Sequence, residues 1–308
     1  MSDPARLPIF HHPDYQAPLE TRHRFPMGKY GALREALIAR GLMKPGGWSA
    51  PGPASAALIS KAHDRGYVSR VFALDLSEDE QRRIGLPRGE AFVRRARLAS
   101  AGTLLAAETA LSAGIACNMA GGSHHAGRGY GSGFCTFNDV AVAAAALLEA
   151  GRIKRCLVVD CDAHQGDGTA EIFSSDDRVF TLSIHGEKNF PARKIPSDLD
   201  IGLADGTGDD GYAEAQEAGL NAALSAGPFD LAFYNAGVDV HRDDRLGRLA
   251  LSDDGLRRRD RLALTRLRDA GTPVVTVLGG GYGDDPAAIA ARHAITFEVA
   301  AAVLERGL

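Results

Sequence analysis

The chain has 308 residues, 45% of them hydrophobic and 24% charged, with 35 Lys and Arg set against 39 Asp and Glu. A formal charge of −4 lacks the basic excess of a nucleic-acid binder, and no apolar run approaches the roughly 18 residues of a membrane helix, so neither nucleic acid nor a membrane is expected as a partner. The first ten residues lack a basic start followed by an apolar stretch, and Cys117, Cys135, Cys156 and Cys161 show no CxxC spacing, which reads as a cytoplasmic protein with reduced, mostly buried thiols.

Residues 1–90 are interrupted by Pro4, Pro8, Pro13, Pro18, Pro26, Pro45, Pro51 and Pro53, so this part is expected as loops and short helices walling a cleft. Its histidines, His11, His12, His23 and His63, read as surface or hydrogen-bonded residues. Beyond it a regular alternation begins. Helical patterns over Phe92–Ser112, Asn138–Ala150, Asp210–Ser225 and Asp253–Ala270 intervene between apolar runs at Ile115–Met119, Cys156–Val159, Val179–Ile184, Leu231–Tyr234 and Pro273–Leu278. Strands linked through helices make parallel sheets, because the right-handed crossover lays each helix on a sheet face. The expectation is an α/β fold: one domain over residues 1–308, in three layers, with a mostly parallel central sheet and helices on both faces.

In open parallel sheets ligands bind beyond the carboxyl ends of the strands, and here each run is followed by polar or glycine residues. The first leads into Gly121-Gly122-Ser123-His124-His125, the second into Asp160 to Asp167, the third into His185. The fourth leads into Asn235 to Asp239, and the fifth into Gly279-Gly280-Gly281-Tyr282. They read as one shared site.

Asp162 and His164, joined by Asp239 from another strand end, form an N/O donor set suited to a single zinc ion with one coordination position left for water and substrate. The Asp-x-His spacing alone is equally compatible with a helix cap. His124 and His125 have two acids within reach, Asp160 and Asp167, and an imidazole that donates to a carboxylate becomes a better base. A plain glycine-flanked turn would use the same His-His pair. Tyr282 could donate to a developing oxyanion. The glycines before it could cradle a phosphate, but no Walker lysine or Gly-x-Gly-x-x-Gly pattern accompanies them.

Taken together, Gly121 to Ala126, Gly133-Phe134-Cys135, Asn138-Asp139, Asp160 to Gly168, Asn235 to Asp239 and Gly279 to Tyr282 resemble the zinc-dependent histone deacetylase, acetylpolyamine amidohydrolase and acetoin-utilisation family, whose fold is shared with arginases. Asp-Ala-His-Gln-Gly and Arg245-Leu246-Gly247 are similar to its class IV branch and bacterial relatives. The resemblance implies zinc ligands at Asp162, His164 and Asp239, tandem histidines at His124 and His125 with supporting acids Asp160 and Asp167, and a transition-state tyrosine at Tyr282. It further implies a substrate tunnel at Gly133, Phe134, Phe190 and Gly280, and a structural potassium ion near Asp160, Asp162, His164, Ser183 and Ile184. The implied substrate is an acylated lysine peptide, a polyamine or a small acyl-amine. A non-catalytic acyl-amine binding module is the alternative outside enzymology. The binuclear ureohydrolases of the same fold carry an aspartate where this chain has Gly166. Three glycines precede Tyr282 where many relatives have four, which puts the reach of Tyr282 in question.

Overall fold

In the computed structural model, which describes residues 7–20 and 22–306, the five apolar runs form the centre of one sheet. Pro4 lies outside the described residues. The elements are β1 (Ile9–Phe10), α1 (Lys29–Ala39), α2 (Ala56–Ile59), α3 (Arg65–Phe72), α4 (Glu78–Ile84), α5 (Glu90–Ala113), β2 (Ile115–Asn118), α6 (Asp139–Glu149) and β3 (Cys156–Asp160). There follow α7 (Asp167–Phe173), β4 (Val179–Gly186), β5 (Leu199–Leu203), α8 (Asp209–Ser225), β6 (Leu231–Asn235), α9 (Asp253–Asp269), β7 (Val274–Val277) and α10 (Pro286–Glu305).

The strand order is β1-β2-β7-β6-β3-β4-β5, and every pairing is parallel. Strands β2, β3, β6 and β7 are buried at every residue, so apolar side chains on both faces are covered, as helical crossovers require. Long α5 packs across β1, β2, β7 and β6, while α8 packs against β4 and β5. After β3 the chain adds β4 and β5 on one side, then returns to place β6 on the other. That reversal opens a crevice at the carboxyl ends of β3 and β6, where Asp160 and Asn235 are register partners.

Three features departed from the reading above. β1 and β5 were missed because one has two residues and the other alternates exposed and part-buried positions as an edge strand. His185 lies inside β4, its Nδ1 2.9 Å from Ser183 Oγ, and not in the loop beyond it. Helix α10 is apolar nearly all round and so lacks a stripe, although Asp285 at its N-cap and Pro286 in its first turn are start signals. By length and composition α10 could also cross a membrane, which the run-length reading passed over. It packs on α1 and α9 instead, with Ala294, Phe297 and Ala300 fully buried.

The N-terminal part is tied to this framework. β1 pairs with β2, α1 packs on α10, and all four cysteines are free and buried. Phe297→Ala should cost about 3–5 kcal/mol through lost burial and the cavity left behind. Chemical denaturation measures this, and a loss below about 1 kcal/mol would mean that α10 does not share the core.

Candidate metal centre and cleft

Asp162 and His164 follow β3, and Asp239 follows β6. One donor atom from each lies within 4.8 Å of the others, and all three residues are buried. Backbone N–H groups hold both acids: Gly280 N–H donates to Asp162 Oδ2 at 2.6 Å and His164 N–H to Asp162 Oδ1 at 2.9 Å, while Ala163 N–H donates to Asp239 Oδ1 at 2.9 Å. Asp162 Oδ1 and Asp239 Oδ2 lie 3.0 and 2.9 Å from His164 Nδ1. Backbone thus orients the acids, and one oxygen of each faces the imidazole.

The charges of this trio fit a cation. Neither acid has a Lys or Arg ion pair among the described residues; their ion-pair partners are imidazoles. Burial and then the Asp162 charge hold the Asp239 carboxyl up at about 7. Burial disfavours charge on His164, but hydrogen bonds to Asp162 and Asp239 outweigh it and raise the imidazole to about 10. Two buried acids facing one imidazole make a charge set that a divalent ion would neutralise, and the two-acid, one-imidazole set suits zinc.

Close approach requires glycine around the trio. A Cβ on Gly237 would fall 2.5 Å from Asp162 Oδ2, and one on Gly280 would fall 1.9 Å from Asp239 Oδ2. At Gly166, a Cβ would fall 2.4 Å from Asp160 Oδ2. The carboxylate that ureohydrolases carry at this position has no room.

The tandem histidines form two acid pairs. His124 Nδ1 is 2.7 Å from Asp160 Oδ2, and His125 Nδ1 is 2.6 Å from Asp167 Oδ1. Their titration diverges. For His124, burial is overcome by the fields of Asp160 and Asp162, raising it to about 9, whereas burial and then the His124 charge lower His125 to about 4. These opposite shifts favour the imidazolium form of His124 and the neutral form of His125.

Several residues holding this geometry had no role assigned from the sequence. Asp139 accepts from Gly122 N, Ser123 N and Thr103 Oγ1, fixing the turn that carries the histidines. His63, set aside above, accepts from Asn138 N at 2.9 Å and lies 2.9 Å from Gly127 O. Asn235 donates to Asp160 Oδ1. Buried Arg259 donates to the carbonyls of Cys161 and Gly237, pinning both ligand loops. Lys29, 1% exposed, donates to Gly280 O at 2.9 Å, and Asp244 accepts from Tyr282 N at 2.6 Å. Buried charges this far apart in sequence carry no local signal.

A cavity of about 1120 Å³ is lined by His125, His164, Gly133, Phe134, Phe190 and Tyr282. Three glycines thus suffice to bring Tyr282 to the same cavity, its ring centroid 6.1 Å from that of His164. Phe190, 45% exposed, stands edge-on to His125 at 4.9 Å. Phe134 occupies the left-handed region at φ 67°, unusual for an aromatic residue, with its N–H on Ile84 O at 2.7 Å. Gly133 leaves no room for a Cβ beside the His125 ring. Gly280 is the exception among the expected tunnel residues: it lines a smaller inner cavity with Gly121, Gly122 and Asp162. Ser183 pairs in register with Asp160, and Ile184 follows it.

The combination of fold and site defines a class. A family model for the histone deacetylase domain matches residues 23–297, and the chain belongs to that family. An uncharacterised protein of Picosynechococcus sp. is 45% identical over 96% of this chain and 98% of its own length. The histone deacetylase-like amidohydrolase of Pseudomonas aeruginosa is 32% identical over 77% of this chain and 66% of that protein. Acetylpolyamine aminohydrolase from Burkholderia pseudomallei, 24% identical, superposes with a TM-score of 0.78 over 96% of this chain and 99% of that one, which establishes the shared α/β fold. The chain spans about half the length of other curated deacetylases it matches, 48% in the case of one from Arabidopsis thaliana.

Proposed function

We propose that this protein is a hydrolase that removes the acyl group from an N-acyl amine, whether acyl-lysine, acylpolyamine or a small acyl-amine, and that it acts in the cytoplasm. Asp162, His164 and Asp239 would hold one zinc ion. When bound, such an ion supplies Lewis acidity toward the amide carbonyl and lowers the pKa of a water. Everything else falls to side chains of the chain itself.

Neutral His125, oriented through Nδ1 by Asp167, keeps Nε2 as the acceptor for a proton from the attacking water. His124, cationic and tied to Asp160, stabilises negative charge beside the reacting carbon and is the acid available to the departing amine. Tyr282 donates its phenolic proton in a hydrogen bond to the oxygen on which charge develops, a contact typically worth about 3 kcal/mol. Phe134, Phe190 and Gly133 line the approach for an alkyl chain. Backbone oxygens of Asp160, Asp162, His164, Ser183 and Ile184 would hold a structural potassium ion.

The observation that carries this reading is the convergence of the donor trio, two imidazole–carboxylate pairs and Tyr282 beside two adjoining cavities that share His125, Gly133, Phe134 and Tyr282. Zinc-loaded protein should release the fluorophore from an acyl-lysine amide. Asp162→Ala or His164→Ala should reduce turnover to background, and unaltered turnover in either variant would rule the mechanism out.

A further inference from the structure

The charge around the cleft is opposite in sign to that of the whole chain. Seven Lys and Arg residues line the large cavity and one carboxylate, the buried Asp167, faces them, although the chain as a whole carries −4. Two of the seven are neutralised nearby, Arg82 by Asp79 and Arg248 by Asp205. Lys194 donates to the carbonyls of Asn189 and Pro191, at 2.6 and 2.7 Å, and stiffens the loop beside Phe190. The remaining four, Arg24, Arg83, Lys188 and Arg193, are exposed and form no ion pair among the described residues. Arg83 rests 3.7 Å over the Tyr130 ring, which fixes its place at the rim.

These four come from separate parts of the chain: the segment before α1, the end of α4, and the loop after β4. Arg24 and Arg83 stand beside the Phe134 wall, where Gly133 N–H donates to Arg83 O at 3.2 Å and Phe25 packs on Phe134, whereas Lys188 and Arg193 flank Phe190, so cations border both aromatic walls of the mouth. Cations spread around an apolar-walled mouth raise the local concentration of anions and repel other cations before contact is made. Resting on the deacylase reading, we propose that the preferred carrier is an acidic peptide, with the acylated lysine flanked on both sides by Asp or Glu, and that polyamines and basic tails are disfavoured by like-charge repulsion at the rim.

The test is binding of short labelled acyl-lysine peptides that differ only in having acidic, neutral or basic flanks, followed by fluorescence anisotropy with the full zinc-loaded chain. The acidic peptide should bind about tenfold tighter than the neutral one, the basic peptide weakest, with the gap narrowing as salt rises. Lys188→Glu together with Arg193→Glu should invert the order, and the milder Lys188→Gln with Arg193→Gln should flatten it. Equal affinities, or tightest binding of the basic peptide, would overturn the proposal. So would equal binding of an acidic peptide with no acyl group. The expected order of affinities without cleavage of any peptide would uphold the rim's role and defeat the hydrolytic function instead.

Discussion

Gly280→Ala should lower zinc affinity by about 10–100-fold, because it moves a ligand and its backbone support together. The new Cβ would lie 1.9 Å from Asp239 Oδ2, far inside contact distance. Asp239 cannot swing away freely: it is fully buried, and its other oxygen accepts from Ala163 N. Nor can residue 280 retreat, since its N–H holds Asp162 and its carbonyl holds Lys29. Overpacking should also reduce stability by about 1–3 kcal/mol. Gly283→Ala is the control, because its nearest neighbour would be 3.7 Å away. Competition against a chromophoric chelator reads the difference, and wild-type affinity in Gly280→Ala would show that the loop does not set the ligands.

His125→Ala should lower kcat/KM by about 10²–10⁴ while zinc content stays at one per chain. The pH profile carries the signature. His125 must be neutral to accept a proton, so activity should rise as pH climbs through about 4. His124 must be charged, so activity should fall as pH climbs toward about 9. A cation on Asp162 removes part of the field that raises His124, which places the alkaline limb somewhat below that value. Asp160→Asn should move this limb further down and leave the acid limb in place. Loss of zinc in His125→Ala, or an unmoved alkaline limb in Asp160→Asn, would assign these residues to structure and not to proton transfer.

Much of this architecture was legible because parallel strands buried on both faces read as unbroken apolar runs. Cys156 to Val159 and Leu231 to Tyr234 are such runs, and polar residues directly after them must lie at the crevice. Asp162, His164 and Asp239 were readable for that reason, being unusual residue types at strand ends. The inner supports were not. Lys29 reaches Gly280 across 251 positions and Arg259 reaches Cys161 across 98, and no local pattern in the sequence links either pair. Helix α10 was hidden by its uniform apolarity, and Gly280 was assigned to the tunnel wall although its amide faces a ligand from below.

The claim on which the rest depends is that Asp162, His164 and Asp239 together grip one divalent ion. Anomalous diffraction at the zinc edge, on crystals grown with zinc, tests it directly. One peak per chain in contact with all three residues is the expected result. A second peak beside it, or a single peak away from any of the three, would contradict the assignment.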